Sequence, residues 1–375
     1  MSHNRRCRTR RSPHSCRLFR ATQQVRKNLM FISHPAFDQH KLVTARYDRA
    51  SKLNAIIAVH NDNRGPAIGG CRIYPYGSSE DALRDVLRLS RGMSYKTAIA
   101  DIPYGGGKAV IIADPEREKS PALLQAMGEF VESLAGLYIT SFDSGTTLDD
   151  VRTIATATSF AAGISEEAFD ASESTADGVF ACLKAAAAHG LGTDKLSGVT
   201  VAVQGVGSVG RRLVRRLHEA GARIILSDIN RTSAEQVAAE YHCEIAEPGE
   251  IHRVEADIFS PNALGGGLNS RTIPEIRART VVGGANNQLE TSADDLALKH
   301  YGILYCPDYL ANAGGIINLH YQLSNWDQDA LGKHIDRLAE TFMEIMERAK
   351  TLRLPNGEVA DRIAEERFSA LGAGR

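Results

Sequence analysis

The chain has 375 residues, 43% hydrophobic and 24% charged, a balance ordinary for a soluble globular protein and a length sufficient for two domains. Lys and Arg number 44 against 45 Asp and Glu, so a net charge of −1 gives no general attraction to nucleic acid or to an acidic surface. The six cysteines (Cys7, Cys16, Cys71, Cys182, Cys243 and Cys306) form no CxxC pair, which argues against a metal site and a disulfide framework and fits a reducing, cytoplasmic location; no apolar run is long enough to cross a membrane.

Met1 to Phe37 contain no acidic residue while Arg5, Arg6, Arg8, Arg10, Arg11, Arg17, Arg20, Arg26 and Lys27 accumulate. Residues 1–28 read as a basic disordered tail, with a targeting segment or a nucleic-acid arm as alternatives. Structure is expected from Leu29. Leu53 to His60 reads as a buried strand. Ser79 to Arg91 reads as a helix with Ala82, Val86, Leu87 and Leu89 inward and Ser78 or Ser79 as cap. Ala109 to Ala113 reads as a strand, Pro121 to Ala135 as a helix and Leu137 to Thr140 as a short strand. A second alternation follows: strand Val199 to Val203, helix Arg211 to Glu219 and strand Arg223 to Ser227. Further strands are expected at Ala256 to Phe259, Thr280 to Val282 and Ile303 to Tyr305. Each is followed by a Gly-, Asn- or Pro-rich loop, where open parallel sheets bind ligands. Asp327 to Leu352 reads as a long helix. The expectation is an α/β fold of two domains.

Gly205-Val206-Gly207-Ser208-Val209-Gly210 lies between an expected strand and an expected helix, and Asp228 ends the next strand. This context marks a dinucleotide loop: Gly205 for the turn, Gly207 for approach of the pyrophosphate, Gly210 for close helix packing. Asp228 suits the adenosine ribose hydroxyls and repels a 2′-phosphate, which favours NAD over NADP; Arg231 nearby would soften that preference. Lys108 follows Gly105-Gly106-Gly107 and leads into an apolar run. A lysine at the tip of a glycine turn beside such a strand loses solvent, which lowers its pKa and makes it usable as a base. With Lys96 to hold a carboxylate, the set suggests redox chemistry on an amino acid. The bland alternatives are a solvated helix-end Lys96, Asp143 as cap of a helix near Thr147, Thr175 as another cap, and loop asparagines as turn formers.

GPAIGG, RGMSYK, GGGKAVII, DSGTT, VQGVGSVG, NALGG, GANNQL and PDYLANAGGIIN occur in order from about Leu53 onward. In these segments the chain resembles the Glu/Leu/Phe/Val dehydrogenases, nearest the leucine, valine, phenylalanine and tryptophan branch. The resemblance implies an N-terminal α/β substrate-binding and oligomerisation domain (29–165, completed by helices about 345–375) and a C-terminal Rossmann NAD domain (166–344), with a cleft between them. It implies Lys96 on the substrate carboxylate, Lys108 activating water, Asp143 exchanging a proton with the amine, and Asn287 on the substrate. The side-chain pocket would be walled by Gly69, Gly70, Met93, Ile316 and Leu319, none charged, so the side chain is expected to be apolar. Beside the GVGSVG loop, Asp228, Ile229, Thr175, Asn262, Ala263 and Asn286 would bind NAD. A homo-oligomer, dimer or octamer, is implied. Asp177, Ser144 and Cys71 depart from the family's pattern, and Asp177 is expected near the nicotinamide or facing solvent. Alternatives to deamination are a relative that joins a 2-oxo acid to another amine and a nucleotide-binding regulator without turnover.

Overall fold

The computed structural model describes residues 31–164, 171–324 and 326–369; the expected basic tail lies outside them. The first layer system contains β1 (Leu42–Asp48), β2 (Leu53–Asn61), β3 (Ala67–Tyr74), α1 (Ser79–Ile99), β4 (Gly105–Ile112), α2 (Pro121–Glu132), β5 (Tyr138–Phe142) and α3 (Leu148–Ala155). Its five strands run in the order β1-β2-β4-β3-β5, antiparallel at β1/β2 and β2/β4 and parallel across β4, β3 and β5. β2 and β4 are buried almost throughout, because helices and loops cover both faces.

α1 runs to Ile99, a further eight residues beyond the expected end at Arg91. Buried Ser94, Tyr95, Thr97 and Ala98 continue its inner face, so packing extends it past the exposed Gly92. Leu83 joins the inner stripe, and Leu89 is half-buried. Ser78 caps the start by accepting from the Asp81 amide. The glycine run before Lys108 is strand, not turn. A Cβ on Gly105 would stand 2.0 Å from the Asn61 carbonyl oxygen, one on Gly106 2.0 Å from the Ser94 nitrogen, and one on Gly107 2.6 Å from the Tyr138 ring. The three glycines let a strand lie directly under α1, and they place Lys108 within β4.

The second layer system contains α4 (Ala171–Leu191), β6 (Thr200–Gln204), α5 (Ser208–Glu219), β7 (Arg223–Ser227), α6 (Arg231–Tyr241), β8 (Glu244–Ile245), β9 (Ile258–Pro261), β10 (Thr280–Val281), α7 (Ala293–His300) and β11 (Leu304–Tyr305). All its strand pairs are parallel, in the order β11-β10-β9-β6-β7-β8. The order reverses between β6 and β9, the switch point at which doubly wound sheets bind dinucleotides.

Four helices follow: α8 (Asp308–Ala311), α9 (Gly314–Leu323), α10 (Gln328–Leu352) and α11 (Asn356–Ser369). α10 is one continuous helix packed on α4, so the expected boundary at residue 344 falls inside it; α11 is the helix that packs back on α1. Arg367 donates to the Ile99 and Ala98 carbonyls at 2.8 and 3.2 Å, satisfying the open end of α1, and His334 Nε2 sits 2.8 Å from the Ala100 oxygen. Ile68, Ile99 and Ile102 share a buried cluster with Val179, Ile316 and Leu338, so apolar packing joins the two sheets.

Candidate active site

β3, β4 and β5 set the charged residues in a row. Cys71 pairs with Ala109 on one side and Phe142 on the other, which aligns Lys108, Arg72 and Asp143 across three neighbouring strands. Lys108 is 6% exposed, and its Nζ lies 2.8 Å from Asp143 Oδ2. Arg72 Nε donates to the same oxygen at 2.9 Å. Arg72 is held in turn by Asp85 at 2.9 Å, and Asp85 accepts from the Tyr76 hydroxyl at 2.6 Å. Burial pushes the Asp143 carboxyl up, but Lys108, Arg72 and the Ser144 amide outweigh it and hold the carboxyl below its ordinary value. Gly70 is required beside it, since a Cβ there would be 2.8 Å from Asp143 Cβ and 2.5 Å from the Phe142 oxygen. Asp143 caps no helix: Thr147 caps α3, in a capping box with Asp150.

Lys96 is on the last turn of α1. Desolvation lowers its ammonium to about 8, opposed by Asp308 and Asp143 and aided by Lys108. Among the described residues no carboxylate pairs directly with Lys96. Desolvation thus acts on Lys96, at the helix end, while Lys108 is paired with Asp143. Met93, one turn earlier on α1, approaches Gly69; a Cβ there would meet Met93 Cγ at 3.4 Å. Ile316 and Leu319, on α9, belong to the buried cluster that also holds Ile68 of β3. Leu319 and Phe142 both meet a point beside Gly163, at 3.3 and 3.8 Å from where its Cβ would be. Phe142 is 48% exposed, an aromatic wall that the sequence reading did not include.

The nucleotide loop joins β6 to α5. Gly205 has φ +88°, which favours glycine, and a Cβ on Gly210 would stand 1.9 Å from the Gly205 oxygen. Gly207 is the N-cap of α5 with no side-chain cap, and a Cβ there would meet nothing within 4 Å. The first amides of α5, at Ser208 and Val209, are therefore open toward empty space, as an anion such as pyrophosphate requires. Val206 donates its amide to Asp228 Oδ2, and the Asn230 amide to Oδ1, each at 2.8 Å. Asp228 is thus fixed at the end of β7 with acceptor capacity to spare for ribose hydroxyls, and Ile229 beside it is 90% exposed. Asn262 holds its neighbours: Oδ1 accepts from the Gly284 amide at 2.8 Å, and Nδ2 donates to Ser260. Ala263 lies against Gly205. Asn286 Oδ1 accepts from Asn312, and Asn287 is left-handed with φ +53°. These loops all gather at the carboxyl ends of β6, β7, β9 and β10.

Thr175 lies inside α4 rather than at a cap; its hydroxyl donates to the Ala171 oxygen at 2.7 Å and stands beside Gly315. Asp177 pairs with Arg216 of α5 at 2.6 Å, a bond between helices that its sequence position alone does not reveal. Arg231 is committed to Glu235 and Glu247 at 2.8 and 3.3 Å, so it has partners other than a nucleotide phosphate. Cys71 is fully buried in the core of the first sheet, where burial pushes its thiol up to about 12; Ser144 is exposed. Arg72, Asp85 and Asp308 were missed as site residues. Arg72 closely follows the GPAIGG segment and Asp308 lies within PDYLANAGGIIN, on a loop expected to wall the site, whereas Asp85 gave no local signal.

Residues 39–160 match the family profile described as "Glu/Leu/Phe/Val dehydrogenase, dimerisation domain", and residues 169–232 and 226–355 match "Glutamate/Leucine/Phenylalanine/Valine dehydrogenase". The chain is 43% identical to leucine dehydrogenase of Geobacillus stearothermophilus, over 88% of this chain and 90% of that protein. It is 44% identical to L-tryptophan dehydrogenase of Nostoc punctiforme, over 88% and 94%. The crystal structure of L-tryptophan dehydrogenase from Nostoc punctiforme superposes with a TM-score of 0.81 at 42% identity, covering 90% of this chain and 98% of that one. Two adjacent profiles in the expected order, with such identity along nine-tenths of each relative, establish that this chain belongs to the Glu/Leu/Phe/Val dehydrogenase family.

Proposed function

We propose that the protein oxidatively deaminates an apolar L-amino acid (leucine, valine, phenylalanine or tryptophan) to its 2-oxo acid and ammonia, reversibly, with NAD. The observation that carries this reading is the buried Lys108–Asp143 pair beside Lys96, whose ammonium has no direct carboxylate partner among the described residues. Lys96 takes the substrate carboxylate. Gly69, Gly70, Met93, Ile316 and Leu319, all uncharged, receive an apolar side chain, and Asn287 contacts the substrate amine or carboxylate. Both cations act on Oδ2 of Asp143, which leaves Oδ1 to exchange a proton with the substrate amine. Lys108 activates the water that hydrolyses the imine.

The open amides of α5, the empty space at Gly207 and the anchored Asp228 fit a dinucleotide. Gly205 to Gly210 would hold the pyrophosphate, Asp228 and Ile229 the adenosine end, and Thr175, Asn262, Ala263 and Asn286 the nicotinamide end. NAD supplies the hydride acceptor when bound. The negative charge of Asp228 favours NAD over NADP. The matched dimerisation domain supports a homo-oligomer; we read it as a dimer or octamer built through residues 29–165. The buried free thiols of Cys71, Cys182 and Cys306 favour a reducing, cytoplasmic setting.

The test is NADH absorbance at alkaline pH with purified protein, NAD and the twenty amino acids. A signal confined to apolar amino acids and lost in Lys108→Ala supports the reading. NAD binding without any NADH formation overturns it and leaves the regulator or the amine-joining relative.

A further inference from the structure

Two carboxylates act on Lys96 without pairing with it, Asp143 after β5 and Asp308 at the start of α8. α8 packs against the last turns of α1, with Tyr309 against Tyr95 and Ala98. Its first residue, Asp308, is held rigidly. Oδ2 accepts the Gln288 amide at 2.8 Å, and the carboxylate also takes the amides of Tyr309 and Asn287. The same carboxylate therefore anchors the Asn286–Gln288 loop and faces the lysine assigned to the substrate. Burial pushes the Asp308 carboxyl up, and these three amides and the Lys96 ammonium oppose that shift.

We propose that Asp308 is the counter-ion of Lys96 across the α8–α1 contact, a positioning residue that keeps its ammonium ready for the substrate carboxylate. This rests on the reading that Lys96 binds that carboxylate. The charges around Lys96 are Asp308 from α8, Lys108 from β4 and Asp143 after β5. From α11, Glu365 bonds the Tyr95 hydroxyl and Arg367 bonds backbone carbonyls. Around Asp308 are Lys96, Tyr305, Cys306, Tyr309 and Asp361. Burial and Lys108 both disfavour the Lys96 cation, and Asp308 is the strongest opposing influence. Without its charge, Lys96 would lose its proton at lower pH. The same charge repels an incoming carboxylate, so removing it has opposite consequences on the two sides of that titration.

The probe is competitive inhibition by 4-methylpentanoate, which lacks an amine and stays ionised from about pH 6 to about pH 10. In the wild type, Ki should rise as pH passes about 8. In Asp308→Asn, Ki should equal or improve on wild type near pH 6 and be about tenfold worse near pH 9, the effect of a one-unit shift in Lys96. The two profiles then cross, which a merely loosened loop would not produce. Asp308→Glu should retain the wild-type alkaline limb, and Asp308→Ser serves as the neutral variant if Asp308→Asn does not fold. Parallel profiles for wild type and the neutral variant overturn the proposal. Lys96→Ala separates the two levels: if it leaves Ki unchanged, the carboxylate reading fails and this proposal with it. If it abolishes inhibition while the profiles stay parallel, only the role of Asp308 is lost.

Discussion

The two sheets prepare their ligand sites by opposite means. The five-stranded sheet presents side-chain charge: Lys108, Asp143, Arg72 and Asp85 are linked by contacts of 2.8 to 2.9 Å, in or beside strands that are otherwise apolar core. The six-stranded sheet presents backbone. Its loop has no charged side chain from Gly205 to Gly210 and relies on open amides at the start of α5. Charge held in a dry setting is strong and reactive but depends on every partner. Backbone amides are always available, and what limits them is space. Loss of charge should therefore disable the first site, and added volume the second.

The largest effect is expected at Lys108. Lys108→Ala should reduce kcat with an apolar amino acid on the order of a thousand-fold while leaving the NAD dissociation constant near wild type. Loss of NAD binding in that variant would break the separation between the two sites. Asp143→Asn should lower kcat about a hundred-fold, read in the same assay.

The nucleotide loop is tested by two substitutions that add the same methyl group. Gly210→Ala forces a Cβ to 1.9 Å from the Gly205 oxygen and should lower stability by about 1–3 kcal/mol, seen in the melting temperature. Gly207→Ala adds a Cβ in open space, so the melting temperature should hold while KM for NAD rises several-fold. Equal melting losses in both would show that the loop responds to sequence rather than to space. Asp228→Asn keeps an acceptor and removes charge, and should shift the NADP/NAD ratio of kcat/KM upward by about tenfold, roughly 1.4 kcal/mol.

A further contrast is in acid. Buried His60 on β2 has its imidazole lowered by burial from 6.5 to about 4. The folded state then binds fewer protons than the unfolded chain between those values, so stability falls as pH drops from about 6.5 to about 4, by roughly 3 kcal/mol if no relaxation intervenes. Asp143, held low, adds stability above its unfolded value that is lost on further acidification. Hydrogen exchange near pH 5 should open the five-stranded sheet before the six-stranded one, and His60→Gln should flatten the slope. Simultaneous opening would remove the distinction.

Much was legible locally. Val199 to Val203 and Arg223 to Ser227 are β-branched or aliphatic runs, and their strands lie within a residue of the expected positions. GVGSVG in its strand-helix setting needed no tertiary information, because glycine requirements in that loop are set by neighbours along the chain. The triple glycine was misread for the converse reason. Glycine is as useful for close approach as for turning, and only α1, Asn61 and Tyr138 lying against the strand decide between them. α4 drew no helix assignment, since its apolar residues cover most of its circumference and produce no one-sided stripe.

From motif order and local periodicity came the fold class and the dinucleotide loop, and the family resemblance of the motifs pointed to Lys96, Lys108 and Asp143. Those are properties of residue type and short spacing. That desolvation lowers Lys96, which oxygen of Asp143 is bound by two cations, and that Asp177 meets Arg216 were decided by the tertiary structure alone. Burial and charge proximity depend on elements distant in the chain, and Coulomb energy in a dry interior is set by ångströms that the order of residues does not contain.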